Sequence, residues 1–237
     1  IIVQPCPRDT GAGIFLPLAK IYKTDPDSTV AVFPSDHFIQ NENRFINHVK
    51  EAALFVEKNP ELIVIIGVRP EKIESGLGWM ERGDKIHSYN DLNFNYVVKF
   101  WEKPDSATAA VLYSKQCLVN TFITVGKSKT ILNQMKNRLP HFFEAFSPII
   151  DSLGTEHEKI TIQRFFKFIP TVNFSRDFLE IIPAKLAVLE VSDIYWSDWG
   201  EEKRVKYDME RFNLYFRNNT VQRPSAAGRE VPIYTRA

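Results

Sequence analysis

The strongest constraint on this fold is a continuous apolar run, LIVIIGV, at positions 62–68. A strand that is apolar at every position leaves no side for water, so it must be covered on both faces. Before it, apolar residues recur at helical spacing between Asn43 and Lys58, and apolar runs alternate with amphipathic stretches along the chain. The pattern predicts a layered α/β fold with a mostly parallel sheet and helices on both faces.

Local patterns divide the rest of the chain into further elements. They predict a loop over 69–86, a helix capped by Ser106, a strand over 118–126, a helix beginning at Ser128 and an amphipathic helix over 199–216. On this basis residues 1–220 form one domain, and residues 221–237, which show no period, form an extended tail or linker.

Composition argues against several classes of partner. The 30 basic and 29 acidic side chains give a net charge of +1, which offers no electrostatic basis for binding nucleic acid or an acidic membrane. The longest apolar run is too short to span a bilayer, and no signal peptide opens the chain. The two cysteines, Cys6 and Cys117, predict neither a disulfide framework nor a zinc site. We therefore expect a cytoplasmic protein without nucleic-acid or membrane partners.

Two aspartates, Asp36 and Asp198, each follow a predicted strand, and the first of these strands has the sequence STVAVF. In open α/β sheets, ligands bind beyond the carboxyl ends of the strands. Carboxylates there suit Mg²⁺, which is usually held by one or two carboxylates together with water and substrate phosphates. Taken singly, each aspartate fits a turn, and Asp198 also fits a helix cap. Taken as a pair, they form a candidate magnesium site.

Two further segments carry groups that can bind phosphates. Lys103 stands beside Glu102 at a predicted strand end, where a lysine can meet a phosphate as a point charge. The alternative there is a solvated Lys–Glu pair. The segment RDTGAG, at 8–13, and the segment ESGLGW, at 74–79, contain glycines that let backbone amides approach a ligand closely. Neither segment matches a phosphate-binding motif of fixed spacing.

Several short motifs, in a fixed order from about Val3 to Gly200, resemble the sugar-1-phosphate nucleotidylyltransferase family. They are most similar to the mannose-1-phosphate guanylyltransferases, also called GDP-mannose pyrophosphorylases. The matching segments are QPCPRDT, FPSDHFI, GLGWMERG, VVKFWEKPD, VNTFI, IPTVNFS and WSDWG. The resemblance implies a Rossmann-like nucleotidyltransferase fold. It also implies a reaction that joins a nucleoside triphosphate, here GTP, to a hexose 1-phosphate, here mannose 1-phosphate, and releases pyrophosphate.

The resemblance also implies roles for individual residues. Asp36 and Asp198 would hold a catalytic Mg²⁺, and Lys103 would contact the sugar phosphate. The residues that would contact the sugar are Glu102, Gly78 through its backbone amide, Asn120 and Asn173. The residues that fall where the family lines the pocket for the nucleotide base are Arg8, Asp9 and Thr10.

The implied reaction does not require a general base. The attacking phosphate oxygen is already ionised at neutral pH, because the second pKa of a phosphate monoester is about 6. The reaction needs charge neutralisation and alignment of two anions that repel each other. His37, beside Asp36, is therefore expected to pack or to support the aspartate, and not to act in the chemistry.

The chain departs from the family pattern in its first segment and beside one sugar residue. The family's glycine-rich loop, whose arginine and lysine cradle the triphosphate, is absent because the sequence starts after it. We therefore expect an N-terminally truncated catalytic domain that is inactive without that loop. Val119 replaces the usual tryptophan, and Thr121–Phe122 replace a small Ser-Gly pair. These changes leave the identity of the sugar open.

Two other functions also stay open. One is a sister enzyme that uses UTP or dTTP with glucose 1-phosphate, although the RDT and WSDWG segments favour GTP and mannose 1-phosphate. The other is a non-catalytic module that binds a sugar nucleotide and regulates a partner, which the missing loop favours. The sequence does not indicate whether the protein forms homo-oligomers.

Overall fold

The structure is a computed structural model that describes residues 1–89, 92–217, 220–223 and 231–233. Its helices are α1 (Asp9–Thr24), α2 (Glu42–Lys58), α3 (Ser106–Ser114), α4 (Ser128–Arg138), α5 (Pro140–Ser152), α6 (Glu158–Phe165) and α7 (Glu202–Arg211). Its strands are β1 (Thr29–Val32), β2 (His37–Ile39), β3 (Ile63–Val68), β4 (Trp79–Tyr89), β5 (Leu92–Trp101), β6 (Leu118–Lys127), β7 (Leu186–Val191), β8 (Trp196–Asp198), β9 (Tyr215–Arg217), β10 (Thr220–Arg223) and β11 (Val231–Ile233). Short helical turns between α6 and β7 span Phe166–Phe168, Phe174–Phe178, Leu179–Ile181 and Pro183–Lys185.

The chain divides into two compact units. The large unit consists of Ile1–Val32 and His48–Val191, and the small unit consists of Phe33–Asn47 and Ser192–Ala237. The large unit contains a six-stranded sheet. The small unit contains the pair β2–β8 and the three-stranded sheet β9–β10–β11.

Strand β3 lies inside the six-stranded sheet, whose order is β1-β6-β3-β7-β5-β4. All six residues of β3 are buried, as the apolar run predicted. The strand pairs parallel with β7 and antiparallel with β6. With neighbours on both edges and cover on both faces, β3 has no position at which a polar side chain could reach water.

Helices cover both faces of this sheet, as predicted. On one face, Phe15 of α1 and Phe146 of α5 belong to the same core cluster as Ile63 of β3. On the other face, Phe55 of α2 stacks on Phe94 of β5, with ring centroids 4.0 Å apart and planes 7° from parallel. The predicted layered α/β class is therefore confirmed.

The strands of this sheet run in mixed directions. The expected parallel arrangement is present in the β3–β7 pair, whereas the described pairs β1–β6, β3–β6, β4–β5, β4–β6 and β5–β7 are antiparallel. The connections explain the difference. β4 and β5 follow each other closely in the chain, and a short connection between neighbouring strands requires them to run antiparallel.

Two element boundaries near the middle of the chain differ from the prediction. Asp105, and not Ser106, caps α3, because its carboxylate accepts a hydrogen bond from the Thr108 backbone N–H at 2.7 Å. The loop after β3 is also shorter than predicted. Strand β4 begins at Trp79 and contains Gly83, so that glycine lies in a strand and not in a loop.

The amphipathic helix near the end is shorter than the predicted range of 199–216. α7 ends at Arg211 because the chain turns there. Asn213 adopts a left-handed backbone, with φ of 51°, and the Leu214 N–H donates to the Met209 carbonyl at 2.8 Å. A left-handed residue just past a helix ends the helix and satisfies its last carbonyls.

The tail predicted over 221–237 is described in two places. Residues 221–223 belong to β10, and residues 231–233 form β11, which pairs antiparallel with β10. The other residues of this segment lie outside the described part of the chain. Its role as a linker, and the domain boundary at 220, stay predictions.

Two expectations from composition concern membranes and cysteines. Among the described residues, no helix combines the length and apolarity that crossing a membrane requires. Cys6 and Cys117 are both free thiols. Burial raises the pKa of the Cys117 thiol, which favours its unreactive protonated form.

Helix α1 packs closely against the chain segment that precedes the turn at Phe174–Phe178. The Gly11 N–H donates to the Val172 carbonyl at 2.8 Å, and a Cβ at position 11 would lie 2.5 Å from that oxygen. Gly11 therefore permits helix packing, and its amide is used within the protein. The interpretation of this glycine as a residue that exposes its amide to a ligand was wrong, because the residue lies inside a helix.

We predict that Gly11→Ala destabilises the protein by about 1–3 kcal/mol, since the backbone oxygen of Val172 cannot move aside. Gly13→Ala is the matched control in the same helix. A Cβ at position 13 would meet the flexible side chain of Gln4, at 2.5 Å. That side chain can shift, so the better helix propensity of alanine should stabilise this variant by up to about 1 kcal/mol. Urea denaturation measures both changes, and equal stabilities of the two variants would contradict the packing role of Gly11.

Candidate functional site

Gly78, Glu102 and Asn120, which were predicted to contact the sugar, lie side by side in the large unit. β4 begins opposite the end of β5 and beside the start of β6. Each of the three residues is one position beyond this shared pairing, so the strand register places them together. The Asn120 N–H donates to the Gly78 carbonyl at 2.8 Å.

Position 78 has no room for a side chain. A Cβ there would lie 3.0 Å from Glu102 Oε2, 3.1 Å from Phe100 Cζ and 3.3 Å from Asn120 Cβ. Gly78 therefore lets the Glu102 carboxylate and the Cβ of Asn120 pack against the backbone. A carboxylate accepts hydrogen bonds, and a carboxamide both donates and accepts them. Such a set can bind neighbouring hydroxyl groups.

Strand β6 bulges directly after Asn120. Between the pairs Ile65–Thr124 and Gly67–Asn120, β6 contains two more residues than β3. Within this bulge Phe122 has φ of 65°, and its N–H donates to Asn120 Oδ1 at 2.7 Å. Bulges and left-handed non-glycine residues are concentrated at functional sites. A glycine adopts this conformation without strain, which gives a physical reason for the Ser-Gly pair that the resembled family has here.

Lys103 also has a strained backbone, with φ of 48°. It is exposed and directly follows Glu102, just beyond the end of β5. Its ammonium forms no salt bridge with the described residues. Its charge lowers the pKa of the neighbouring Glu102 carboxyl, so the alternative of a solvated Lys–Glu pair stays open. Left-handed non-glycine residues cost on the order of 1–3 kcal/mol and persist where the surrounding structure fixes them.

The Asn173 side chain is used within the protein. Its Oδ1 accepts from the N–H groups of Ser175 and Arg176, at 3.1 and 3.0 Å. Its Nδ2 donates to Asp9 Oδ1 at 3.3 Å. Asn173 therefore caps the helical turn that follows it, and its contact with a sugar stays a prediction.

Arg8, Asp9 and Thr10, predicted to line the base pocket, stand at the start of α1. Arg8 donates to the Lys167 carbonyl, and its buried Nε has no hydrogen-bond partner among the described residues. Asp9 has φ of 61°, and its Oδ1 accepts the Thr10 N–H at 2.6 Å. Thr10 Oγ1 accepts the Phe174 N–H at 2.9 Å. These bonds connect the start of α1 to the turn that Asn173 caps.

The Glu102 carboxyl, in the cluster with Gly78 and Asn120, interacts electrostatically with charged residues at the start of α1 and in the turns after Asn173. Burial, the largest effect, raises the pKa of this carboxyl above its ordinary value. The cations that lower this pKa are Lys103 and Arg176, and the carboxylates that raise it further are Glu180 and Asp9. The start of α1 and the turn at Phe174–Phe178 therefore lie within electrostatic reach of the Gly78–Glu102–Asn120 cluster.

Sequence reasoning missed Arg176, Asp177 and Glu180. Arg176 donates two hydrogen bonds to the Asp177 carboxylate, at 2.8 and 3.1 Å. This pairing raises the pKa of the guanidinium and lowers that of the Asp177 carboxyl. The available signal was the presence of three charges within the otherwise apolar segment FSRDFLEII.

Asp36 and Asp198 take adjacent backbone positions in the small unit, by a route that differs from the prediction. Asp36 does not end the STVAVF strand, because β1 stops at Val32 and is a partly exposed edge strand. Asp36 directly precedes β2, and Asp198 ends β8. The two strands are antiparallel, so the start of one lies beside the end of the other. The Trp199 N–H donates to the Asp36 carbonyl at 3.1 Å.

His37, which was predicted to pack or to support Asp36, lies beside Asp198, and its supporting role stays a prediction. The two residues are directly paired across β2 and β8. Trp196 Nε1–H donates to His37 Nδ1 at 3.1 Å, so a neutral ring carries its proton on Nε2. That Nε2 lies 4.0 Å from Asp198 Oδ1. Asp198 Oδ1 also accepts the Gly200 N–H at 2.7 Å, and α7 has no side-chain cap, so Asp198 forms a turn and does not cap α7.

The donor set of the aspartate pair suits magnesium. Within the described ranges, no group of three or more His, Cys, Asp or Glu side chains is arranged to hold a metal ion. Asp36 and Asp198 offer hard oxygen ligands, and His37 Nδ1 is occupied by Trp196. Mg²⁺ commonly takes one or two carboxylates and completes its shell with water and phosphates, whereas zinc sites use three or four nitrogen, sulfur or oxygen ligands from the protein.

We predict that Glu102→Gln stabilises the protein at neutral pH and not at acidic pH. Because the pKa of Glu102 is raised on folding, the unfolded state ionises first as pH rises. The parent therefore loses stability from about pH 4.3, the ordinary glutamate value, up to the raised pKa. Glutamine carries no charge and avoids this loss. Urea denaturation across this pH range measures the difference.

Glu57→Gln is the control of opposite sign. Hydrogen bonds from Lys127, and then from Thr29, lower the pKa of the Glu57 carboxyl. Its ionised form therefore stabilises the fold above the ordinary pKa, and this contribution is lost as pH falls through the lowered value. The variant should be less stable than the parent at neutral pH. If Glu102→Gln also lowered stability at neutral pH, the burial of the Glu102 charge would be refuted.

Solved structures share the fold of this chain. The crystal structure of mannose-1-phosphate geranyltransferase from Thermus thermophilus matches with a TM-score of 0.70 and 19% identity, over 83% of this chain and 54% of that chain. The crystal structure of mannose-6-phosphate isomerase from Helicobacter pylori matches with a TM-score of 0.63 and 21% identity, over 81% and 71% of the two chains. At these identities the likeness concerns the fold alone.

Curated relatives match most of this chain but less than half of their own length. Mannose-1-phosphate guanylyltransferase 2 of Escherichia coli O157:H7 is 28% identical over 207 aligned residues, and the match covers 84% of this chain and 42% of the relative. Mannose-1-phosphate guanylyltransferase of Escherichia coli (strain K12) is 26% identical over 203 residues, with the same coverage of 84% and 42%. The model of the nucleotidyl transferase family matches residues 1–205, and the chain belongs to that family.

Proposed function

We propose that this protein transfers a guanylyl group from GTP to mannose 1-phosphate, which forms GDP-mannose and releases pyrophosphate. The observation that carries the proposal is the Gly78–Glu102–Asn120 cluster with the strained Lys103 directly beside it in the chain. Membership of the nucleotidyl transferase family supports the reaction type. The names of the relatives support the choice of GTP and mannose 1-phosphate.

The reaction is a direct displacement at phosphorus. An oxygen of mannose 1-phosphate attacks the α-phosphorus of GTP, and the bond from that phosphorus to the bridging oxygen breaks. Pyrophosphate leaves with the electron pair of the broken bond. The attacking oxygen is ionised at neutral pH because its pKa is about 6. The protein therefore has to align two anions and neutralise their charge, and no residue needs to remove a proton.

Lys103 supplies a positive charge for the phosphate of the incoming sugar. Its ammonium forms no salt bridge within the described chain, so no protein carboxylate competes directly for it. Its left-handed backbone, with φ of 48°, is a conformation that persists where the surrounding structure fixes it. A restricted backbone reduces the conformational entropy that is lost when the side chain binds a ligand.

Glu102 and Asn120 supply hydrogen bonds to sugar hydroxyls. The ionised Glu102 carboxylate accepts hydrogen bonds from hydroxyl groups. Asn120 Oδ1 already accepts the Phe122 N–H, which fixes the orientation of the carboxamide. Its Nδ2 therefore provides the donors. The absence of a side chain at Gly78 lets Glu102 and Asn120 pack beside each other against the backbone.

Asp36 and Asp198 would hold a Mg²⁺ ion in the small unit. When bound, Mg²⁺ neutralises negative charge on phosphate oxygens. The β2–β8 pairing fixes the backbone on which both carboxylates stand, and the Gly200 N–H orients one oxygen of Asp198. His37 lies behind that oxygen, with its Nε2 4.0 Å away. A cytoplasmic location accompanies this proposal as a prediction.

The proposal is tested by measuring pyrophosphate release by the purified full-length protein with each combination of GTP, UTP or dTTP and mannose 1-phosphate or glucose 1-phosphate. We expect Mg²⁺-dependent release, with GTP and mannose 1-phosphate the best pair. Asp198→Asn should abolish release and leave the unfolding transition intact, since it removes the charge that holds the metal while preserving side-chain shape.

Preference for UTP or dTTP with glucose 1-phosphate would replace the proposed substrates and keep the reaction type. Binding of GDP-mannose without release from any pair would refute catalysis and favour the regulatory module. Full activity of the Asp198→Asn variant would refute the metal assignment.

We predict that Lys103→Ala raises the KM for mannose 1-phosphate by at least about tenfold, the loss expected for one charge-assisted hydrogen bond. The KM for GTP should change much less. Lys99→Ala is the matched control, because Lys99 lies on β5, the strand that Lys103 follows, with its ammonium 4.7 Å from the centroid of the Trp101 ring. It should leave both KM values unchanged. Equal increases in the two KM values for Lys103→Ala would contradict its placement on the sugar phosphate.

A further inference from the structure

We infer that Asp208 is a positioning residue for the metal-binding aspartates: its buried carboxylate, acting through Trp199, fixes the backbone of Asp198 beside Asp36. The inference rests on the proposed function, because it assumes that this pair holds Mg²⁺. Asp208 itself lies on α7 and is completely buried, with 0% of its surface exposed.

Asp208 is unusual within its helix. Of the ten residues of α7, all of which are described, it is the one that is fully buried. A helix that needed no more than an anchor would bury an apolar side chain at this position. Burying a carboxylate costs several kcal/mol unless hydrogen bonds replace its water. A buried carboxylate in an aromatic cluster is therefore better explained by the groups that it positions than by the stability of packing.

The Asp208 carboxylate holds two aromatic side chains, one on each oxygen. Tyr195 Oη–H donates to Oδ1 at 2.6 Å, and Trp199 Nε1–H donates to Oδ2 at 2.7 Å. Hydrogen bonds to an ionised acceptor are about twice as strong as those between neutral groups. Both rings belong to the apolar cluster around Phe38 and Leu214, so these bonds are shielded from water.

Trp199 transmits this restraint to the aspartates. It directly follows Asp198 in the chain, and its backbone N–H donates to the Asp36 carbonyl at 3.1 Å. Its ring stacks on Phe38, which lies two residues after Asp36, with centroids 4.9 Å apart and planes 5° from parallel. The indole is thus held on its face by Phe38 and at its N–H by Asp208, while its backbone joins the two aspartate segments.

The two bonds to Asp208 act at opposite ends of the β2–β8 pair. Trp199 lies at the end that carries Asp36 and Asp198. Tyr195 lies at the other end, where its carbonyl accepts the Gln40 N–H at 3.0 Å. Loss of the Trp199 bond should therefore loosen the aspartates, whereas loss of the Tyr195 bond should loosen the far end of the pair.

Trp199→Phe and Tyr195→Phe test the inference as a matched pair, because each deletes one hydrogen bond to the same carboxylate and keeps an aromatic ring. Metal affinity is measured by titrating the purified protein with Mn²⁺ and following the free ion by electron paramagnetic resonance. We expect Trp199→Phe to weaken Mn²⁺ binding about tenfold, the lower end of the usual effect of losing a residue that supports metal ligands. Tyr195→Phe should leave it within about twofold of the parent.

Further measurements separate positioning from general stability. Urea denaturation should show a larger loss for Trp199→Phe, since it removes part of a ring stacked on Phe38 as well as one hydrogen bond. Amide hydrogen exchange at position 199 should be faster in Trp199→Phe than in Tyr195→Phe, because that amide bonds Asp36. Combining Trp199→Phe with Asp208→Asn should weaken Mn²⁺ binding no further than Trp199→Phe alone, as expected for residues that act in series.

Asp198→Asn distinguishes failure of this inference from failure of the proposed function. If Asp198→Asn weakens Mn²⁺ binding but the two aromatic variants behave alike, the positioning role of Asp208 is overturned and the metal assignment stands. If Asp198→Asn leaves Mn²⁺ binding unchanged, the metal assignment is overturned, and the inference fails with it.

Discussion

The pairing of the buried strand β3 with β6 is the constraint on which the Gly78–Glu102–Asn120 cluster depends. β3 is apolar throughout and is paired on both edges, so it cannot shift without exposing its core. β6 pairs with β3 on both sides of the segment between Asn120 and Thr124, although this segment of β6 has two more residues than the facing segment of β3. The excess forms the bulge that gives Phe122 its left-handed backbone and turns its N–H to the Asn120 side chain. The pairing of a fully buried strand thus determines the orientation of Asn120, a residue predicted to contact the sugar.

Backbone strain occurs at two of the large-unit residues that were predicted to bind substrate, and also at Gln116, just past α3. Asp9 and Lys103 both have positive φ, and Phe122 lies two residues beyond the predicted ligand Asn120. Each such conformation costs on the order of 1–3 kcal/mol for a residue with a side chain. The surrounding sheet and the hydrogen bonds of the turn after Asn173 maintain them. A fold that needed no function at these positions would gain stability by relaxing them, so the strain favours a binding role.

The sequence predicted elements whose pattern is local and failed where the outcome depends on distant pairing. The apolar run of β3 and the helix from Ser128 followed from periodicity alone. Asp36 was expected at the end of a buried strand, yet it stands before β2, because the proline-containing turn after β1 starts a second, separate strand. The proximity of Asp36 to Asp198 was predicted from the rule that ligands bind beyond the carboxyl ends of parallel strands. An antiparallel strand pair produces this proximity instead. Arg176 and Asp208 could not be assigned, since their partners are fixed by tertiary structure and not by spacing.

Two carboxylates are partly or fully buried, although charged groups usually stay in contact with water, and the same explanation applies to both. Glu102 is partly buried in the large unit, where its ionised form is disfavoured. Asp208 is fully buried in the small unit, where two aromatic donors satisfy it. Neither is needed to form a helix or a strand. Natural sequences break local rules mainly where function requires it. Glu102 lies in the Gly78–Glu102–Asn120 cluster. Asp208 bonds Trp199, which directly follows the proposed metal ligand Asp198. Each buried carboxylate therefore favours a function at the proposed site beside it.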